Sequence, residues 1–138
     1  MKDKIEKTVT HTRKKLSIYG SLFFGVGLAL VLIMGLVAAF FQLQGIWAKV
    51  IVGFLIILGL LVGSVNITSK EEAPYLVGII ALVLLTPMFL QQFVTTFAIS
   101  NQVFLTFLQT AYSYFLAFSI PGATVVAFKL IFALAKDE

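Results

Sequence analysis

The sequence predicts an all-α integral membrane protein. It would have four transmembrane helices in two antiparallel hairpins, the last helix kinked or broken at Pro121-Gly122, and a basic amphipathic segment in front. Three observations carry this. The 138 residues are 60% hydrophobic and only 12% charged, with a mean hydropathy of +1.06. Soluble domains are about 45–50% apolar and about 25% charged, so this chain lacks the polar surface that water requires. The charged residues also leave residues 16–48, 50–69 and 73–128 without a formal charge. A crossing takes roughly 20 apolar residues, so these gaps hold one, one and two crossings. Finally, the basic residues are placed asymmetrically.

Residues 1–15 contain Lys2, Lys4, Lys7, Arg13, Lys14 and Lys15 against Asp3 and Glu6, which already equals the net charge of +4 of the whole chain. Lysine and arginine beside the first crossing keep their side in the cytoplasm. With four crossings both termini are then cytoplasmic, and Lys49 is the one basic residue outside. The expected organisation is a basic juxtamembrane segment, 1–16, followed by a single transmembrane domain, 17–138.

Within the first segment Ile5, Val9, Thr12 and Leu16 recur at helical spacing. This fits either an amphipathic helix on the inner membrane surface or a solvated tail that sets orientation. The first crossing spans about 17–41. It is too long for the apolar core of a cleaved signal peptide and is expected to be a retained anchor. Ser21, Gly25 and Ala29, then Gly35 and Ala39, are small residues at intervals of four. In lipid such faces let helix backbones approach, within one chain or between copies.

A tight connection leads to Trp47 and Lys49, an aromatic anchor and a lysine that can reach water. The second crossing, about 47–67, carries Gly59 and Gly63, a GxxxG pair suited to close packing. In the polar loop Thr68–Pro74, Thr68 or Ser69 can cap a helix, Glu71 and Glu72 favour its N-terminus, and Pro74 fits its first turn. The third crossing, about 75–98, contains Thr86-Pro87. Proline there frees a carbonyl one turn back, which a neighbour, Thr86 or water must satisfy. The bend would be a hinge or a static feature of packing.

The fourth crossing, about 103–120, has two stripes. Gln102, Thr106, Gln109 and Ser113 lie on one side, and Phe104, Phe107, Ala111, Tyr114 and Phe118 on the other. Amides and hydroxyls in hydrocarbon need partners. The polar stripe therefore lines water, bonds to another helix, or sits at the interface if helix three ends early. From Val103 to Ala135 a straight helix would be about 50 Å long, more than one crossing needs. A break at Pro121-Gly122 is expected, with 123–136 kinked or interfacial and Lys129 directed to headgroups.

Chemistry-bearing groups are scarce. His11 is the one histidine, cysteine is absent, and every carboxylate lies in the tail, the polar loop or the C-terminus. Catalysis and proton coupling inside a membrane need buried acids, bases or ligands. No catalytic, cofactor or metal site is therefore assigned, and neither a nucleic-acid partner nor a small-molecule substrate is expected. Asn66-Ile67-Thr68 matches a glycosylation sequon but faces the cytoplasm in this topology.

The stretches Gly63–Tyr75 (GSVNITSKEEAPY) and Pro121–Glu138 (PGATVVAFKLIFALAKDE) resemble segments of small multi-pass membrane proteins of archaeal type. They cover about a quarter of the chain. The resemblance implies a shared helical fold in which the second loop and the C-terminal helix matter, and it carries no activity or site residues.

The expected function is non-enzymatic: a cell-membrane protein, in contact with lipid, that self-associates as a structural or scaffolding component. An oligomeric pore or holin-like channel lined by the polar stripe, and an accessory subunit of a larger complex, are the alternatives.

Overall fold

The computed structural model describes residues 1–67 and 70–136, with the side chains of residues 12–21 and 66 outside the description. These residues are almost entirely helical: α1 (Lys2–Phe41), α2 (Ile46–Leu61) continued by a π-helical turn (Val62–Asn66), α3 (Glu72–Thr96) and α4 (Gln102–Lys136). Four stretches are long and apolar enough to cross a membrane: Leu22–Phe41, Ile46–Val65, Glu72–Thr96 and Gln102–Lys136. Large apolar side chains such as Phe54, Leu84 and Phe128 lie on the outside. An aqueous protein avoids so extensive an apolar surface, whereas a bilayer is the medium that covers it.

The connections follow local backbone chemistry. α1 ends with Gln42 in the left-handed region, φ 47°. The Leu43 amide bonds back to the Ala38 carbonyl at 3.3 Å, the six-to-one bond of a Schellman end. Gly45, at φ 73° and ψ −131°, then opens α2 in a conformation suited to glycine. α3 ends in the same manner: Ala98 stands at φ 47° and the Ile99 amide bonds to the Val94 carbonyl at 3.1 Å. Asn101 starts α4, its Oδ1 accepting from the Phe104 amide at 3.1 Å, as a cap residue does.

α4 is the helix that the others share. α1 runs antiparallel to it, with Gly27 against the Phe118 ring and Gly35 against Ala111. α2 runs parallel to it, Gly59 facing the Phe118 carbonyl and Gly63 the Gly122 carbonyl. The backbone of α3 approaches α4 alone, antiparallel, since Tyr112 reaches Val83 and the Tyr75 hydroxyl stands beside Gly122, while the Tyr75 ring also meets Phe24 of α1. The core joins Val31 and Ala38 of α1, Leu55 of α2, Val62 of the π turn, and Tyr114 and Phe118 of α4.

Two helices run on across the expected boundaries. The basic segment and the first apolar stretch lie on one helix of 40 residues, about 60 Å long. Its first turns therefore reach well past any 30 Å hydrocarbon core. Nor is α4 broken at Pro121-Gly122: the helix runs through both residues to Lys136. Proline removes one amide donor but its φ is helical, and Gly122 is held in the tight contact with α2, so packing keeps the helix going.

Candidate functional site

The small-residue faces divide into used and unused ones. On α1 the inward line is Gly27, Val31, Gly35 and Ala38, with Ala39 also buried. A Cβ on Gly35 would come within 2.9 Å of the Ala111 methyl. Gly25 and Ala29 point outward, and nothing stands within 4 Å of where a Gly25 side chain would begin. Ser21 falls among the residues whose side chains are not described. On α2 both Gly59 and Gly63 are buried against α4 backbone. Any side chain there would collide with a carbonyl that cannot move independently. The matching Gly122 on α4, like Gly27, is missed by a search for small residues four apart, because the residues four positions away are Phe and Val in both cases.

The two stripes of α4 also part. Gln102, Gln109 and Ser113 are exposed and Thr106 is half-buried. The Ser113 hydroxyl donates to the Gln109 carbonyl at 3.0 Å, so its own helix satisfies it. The side-chain amide of Gln109 has no hydrogen-bond partner among the described residues, and at seven residues from Gln102 it sits about 10 Å along the helix. On the other stripe Tyr114 and Phe118 are buried in the core, at 4% and 2% exposure. Phe107 is half-buried and Phe104 exposed, the two rings lying 6.4 Å apart. The inner half of the aromatic stripe is thus consumed within the chain. The polar groups near the end of α3 find local partners: Gln92 Nε2 donates to Thr96 Oγ1 at 3.1 Å and Thr95 Oγ1 to the Gln91 carbonyl at 2.8 Å.

Two polar contacts tie α4 to its neighbours. Pro87 has no amide, so the Val83 carbonyl one turn back loses its helical partner. Tyr112 fills that place, its hydroxyl donating to the Val83 oxygen at 2.8 Å. Lys129 turns toward the end of α2: its ammonium donates to the Gly63 carbonyl at 2.9 Å and to the Ser64 carbonyl. These carbonyls belong to the π turn ending α2, where a cation meets the negative end of the helix dipole. The hydroxyl of Ser119, fully buried, has no hydrogen-bond partner among the described residues. Sequence spacing gives the donors but not these pairings, which cross between helices far apart in the chain.

Among the described residues no three His, Asp or Glu side chains form a group that could hold a metal ion. The fold and its surfaces define an all-helical protein with four helices long and apolar enough to cross a membrane, consistent with residence in one. No family model, curated protein or solved structure matches the chain, so the comparisons give no indication of the archaeal-type family that two of its segments resemble.

Proposed function

We propose that the chain is a multi-pass, non-enzymatic protein of the cell membrane that self-associates as a structural or scaffolding component. In this reading both termini are cytoplasmic, held there by the basic start of α1, and the crossings form two antiparallel hairpins within one transmembrane domain. α4, at 35 residues, is about 52 Å long against a core of about 30 Å. A bend at Pro121 lets its last turns follow the inner interface.

The observation that carries self-association is the outward polar stripe of α4. Gln109 presents an exposed side-chain amide with no hydrogen-bond partner among the described residues, and in hydrocarbon leaving such a group without a hydrogen bond costs about 1–3 kcal/mol. The same face of a second copy supplies the missing partner, since an amide both donates and accepts, with Gln102 and Thr106 flanking it. Interhelical bonds of this kind contribute about 0.6–2 kcal/mol each. The outward Gly25 and Ala29 of α1 offer a second place for close approach.

The natural sequence has no cysteine, so single cysteines at residues 102, 106, 109 and 113 can be oxidised in native membranes, with residues 84 and 85 on α3 as controls. Cross-linked dimers at stripe positions and none at the controls support the reading. Equal cross-linking everywhere, or none on the stripe, overturns it.

The same outward stripe also fits a second reading, an oligomeric pore in which several copies turn it toward water. That reading predicts conductance in planar bilayers which Gln109→Leu reduces or alters, while a structural assembly stays silent.

A further inference from the structure

Exposed hydroxyls in this chain close on their own helix. Thr8, Thr10, Ser64, Thr95, Ser113 and Thr124 each donate to the carbonyl four residues back. Ser119 departs from this pattern. It is 0% exposed, and its hydroxyl bonds neither to that carbonyl nor to any other group among the described residues. A buried hydroxyl is destabilising until it finds a partner, so the direction in which Ser119 points matters.

A second unbonded hydroxyl stands beside it. Ser119 and Gly122 lie three residues apart on the buried face of α4, which sets their Cβ positions about 5–6 Å apart. The Tyr75 hydroxyl of α3 is 3.2 Å from the point where a Gly122 Cβ would stand, and the Gly59 carbonyl oxygen of α2 is 2.7 Å from the same point. These two oxygens are therefore no more than about 6 Å apart, and Tyr75 makes no direct hydrogen bond among the described residues. One water, bonding at about 2.8 Å on each side, spans about 5.6 Å.

We propose that α2, α3 and α4 enclose a binding site for a water molecule, held by the hydroxyls of Ser119 and Tyr75 and by the carbonyl of Gly59. Three hydrogen bonds are the usual complement of a buried water. Each hydroxyl both donates and accepts, and the carbonyl has a second lone pair beyond the one its helix uses. Gly122 makes the room, because any side chain there would stand against the Gly59 carbonyl and the Tyr75 hydroxyl. Three neutral oxygens suit water better than a hard cation, which collects about six or more. The nearby positive charge, Lys129, is taken up by the Gly63 and Ser64 carbonyls. α3 is then held by hydroxyls at two levels: Tyr112 bonds directly to the α3 carbonyl of Val83, and Tyr75 reaches α4 and α2 through water.

The site does not rest on self-association. The test is hydroxyl-radical footprinting of the full chain in mild detergent: an X-ray pulse turns water into radicals that oxidise adjoining rings, and mass spectrometry maps them. We expect oxidation of Tyr75 to fall at least about fivefold in Ser119→Ala, the ratio given by roughly 1 kcal/mol. Tyr112, whose hydroxyl is bonded to protein, should be modified as in the wild type. No oxidation of Tyr75 in the wild type, or equal oxidation in the variant, overturns the site. A fall that Tyr112 shares reports loosening of the whole bundle and contradicts a local water. Unfolding by SDS gives a second measurement. Ser119→Ala and Tyr75→Phe remove the same water, so the double variant should lose no more stability than the worse single one, whereas additive losses overturn the shared site.

Discussion

The two ends of α4 follow opposite rules. From Ala111 to Val126 the helix is enclosed by α1, α2 and α3 through glycines, rings and backbone contacts. From Gln102 to Gln109 it carries Gln102, Thr106 and Gln109 on a face where Gln102 and Gln109 are exposed. In lipid, apolar side chains gain nothing by leaving solvent for protein, so helices are held by dispersion at close approach and by hydrogen bonds between them. The inner half uses both means within one chain. The exposed half presents the second means with no partner for Gln109 among the described residues, which is why it is the better candidate for contact between copies.

The largest expected effect lies in the enclosed half. Gly59→Ile should lower stability by about 3 kcal/mol or more, because the new side chain meets the Phe118 carbonyl of a packed helix. Gly25→Ile, where nothing is within 4 Å, should stay within about 0.5 kcal/mol of wild type. Unfolding by SDS in mixed micelles measures both, and equal losses would erase the distinction between used and unused glycine faces. Lys129→Met comes next, at about 2–3 kcal/mol in the same assay, since it strips a cation from two carbonyls at the end of α2.

Nearer the boundary between the halves, Tyr112→Phe should cost about 1 kcal/mol by leaving the Val83 carbonyl without a donor. The loss should shrink when Pro87→Ala restores the helical amide, a coupling that a double-mutant cycle reads directly. At the turn between α3 and α4 the effect reverses sign. Ala98→Gly should stabilise by about 1 kcal/mol, because a non-glycine residue pays that much for the left-handed conformation found there. No change on this substitution would mean that the turn relaxes when helix ends are free.

The four helices long and apolar enough to cross a membrane were legible because charge is excluded from hydrocarbon so strongly that 16–48, 50–69 and 73–128 stand out as uncharged. The GxxxG pair of α2 could be read as a packing face, and Pro87 as a residue that frees a carbonyl. What spacing could not supply was the partner. Periodicity puts Gln109 and Phe118 on different sides of α4, but it does not say which side faces the core, and the answer separates an interior ring from an outward amide. Gly122 could be seen as part of a break, yet it is one of the places where α2 packs closely on α4, and the helix continues. Lys129 shows the same limit: a lone lysine near a helix end suggests headgroups, while the carbonyls it binds lie more than sixty residues earlier.

The most direct test of the claim that the outer half of α4 joins copies is the particle mass of the full chain in mild detergent, by light scattering, for wild type and Gln109→Leu. The account predicts an oligomer for wild type and a shift to monomer for the variant, with unchanged helical content. A wild-type monomer, or an oligomer that Gln109→Leu leaves intact, would contradict it.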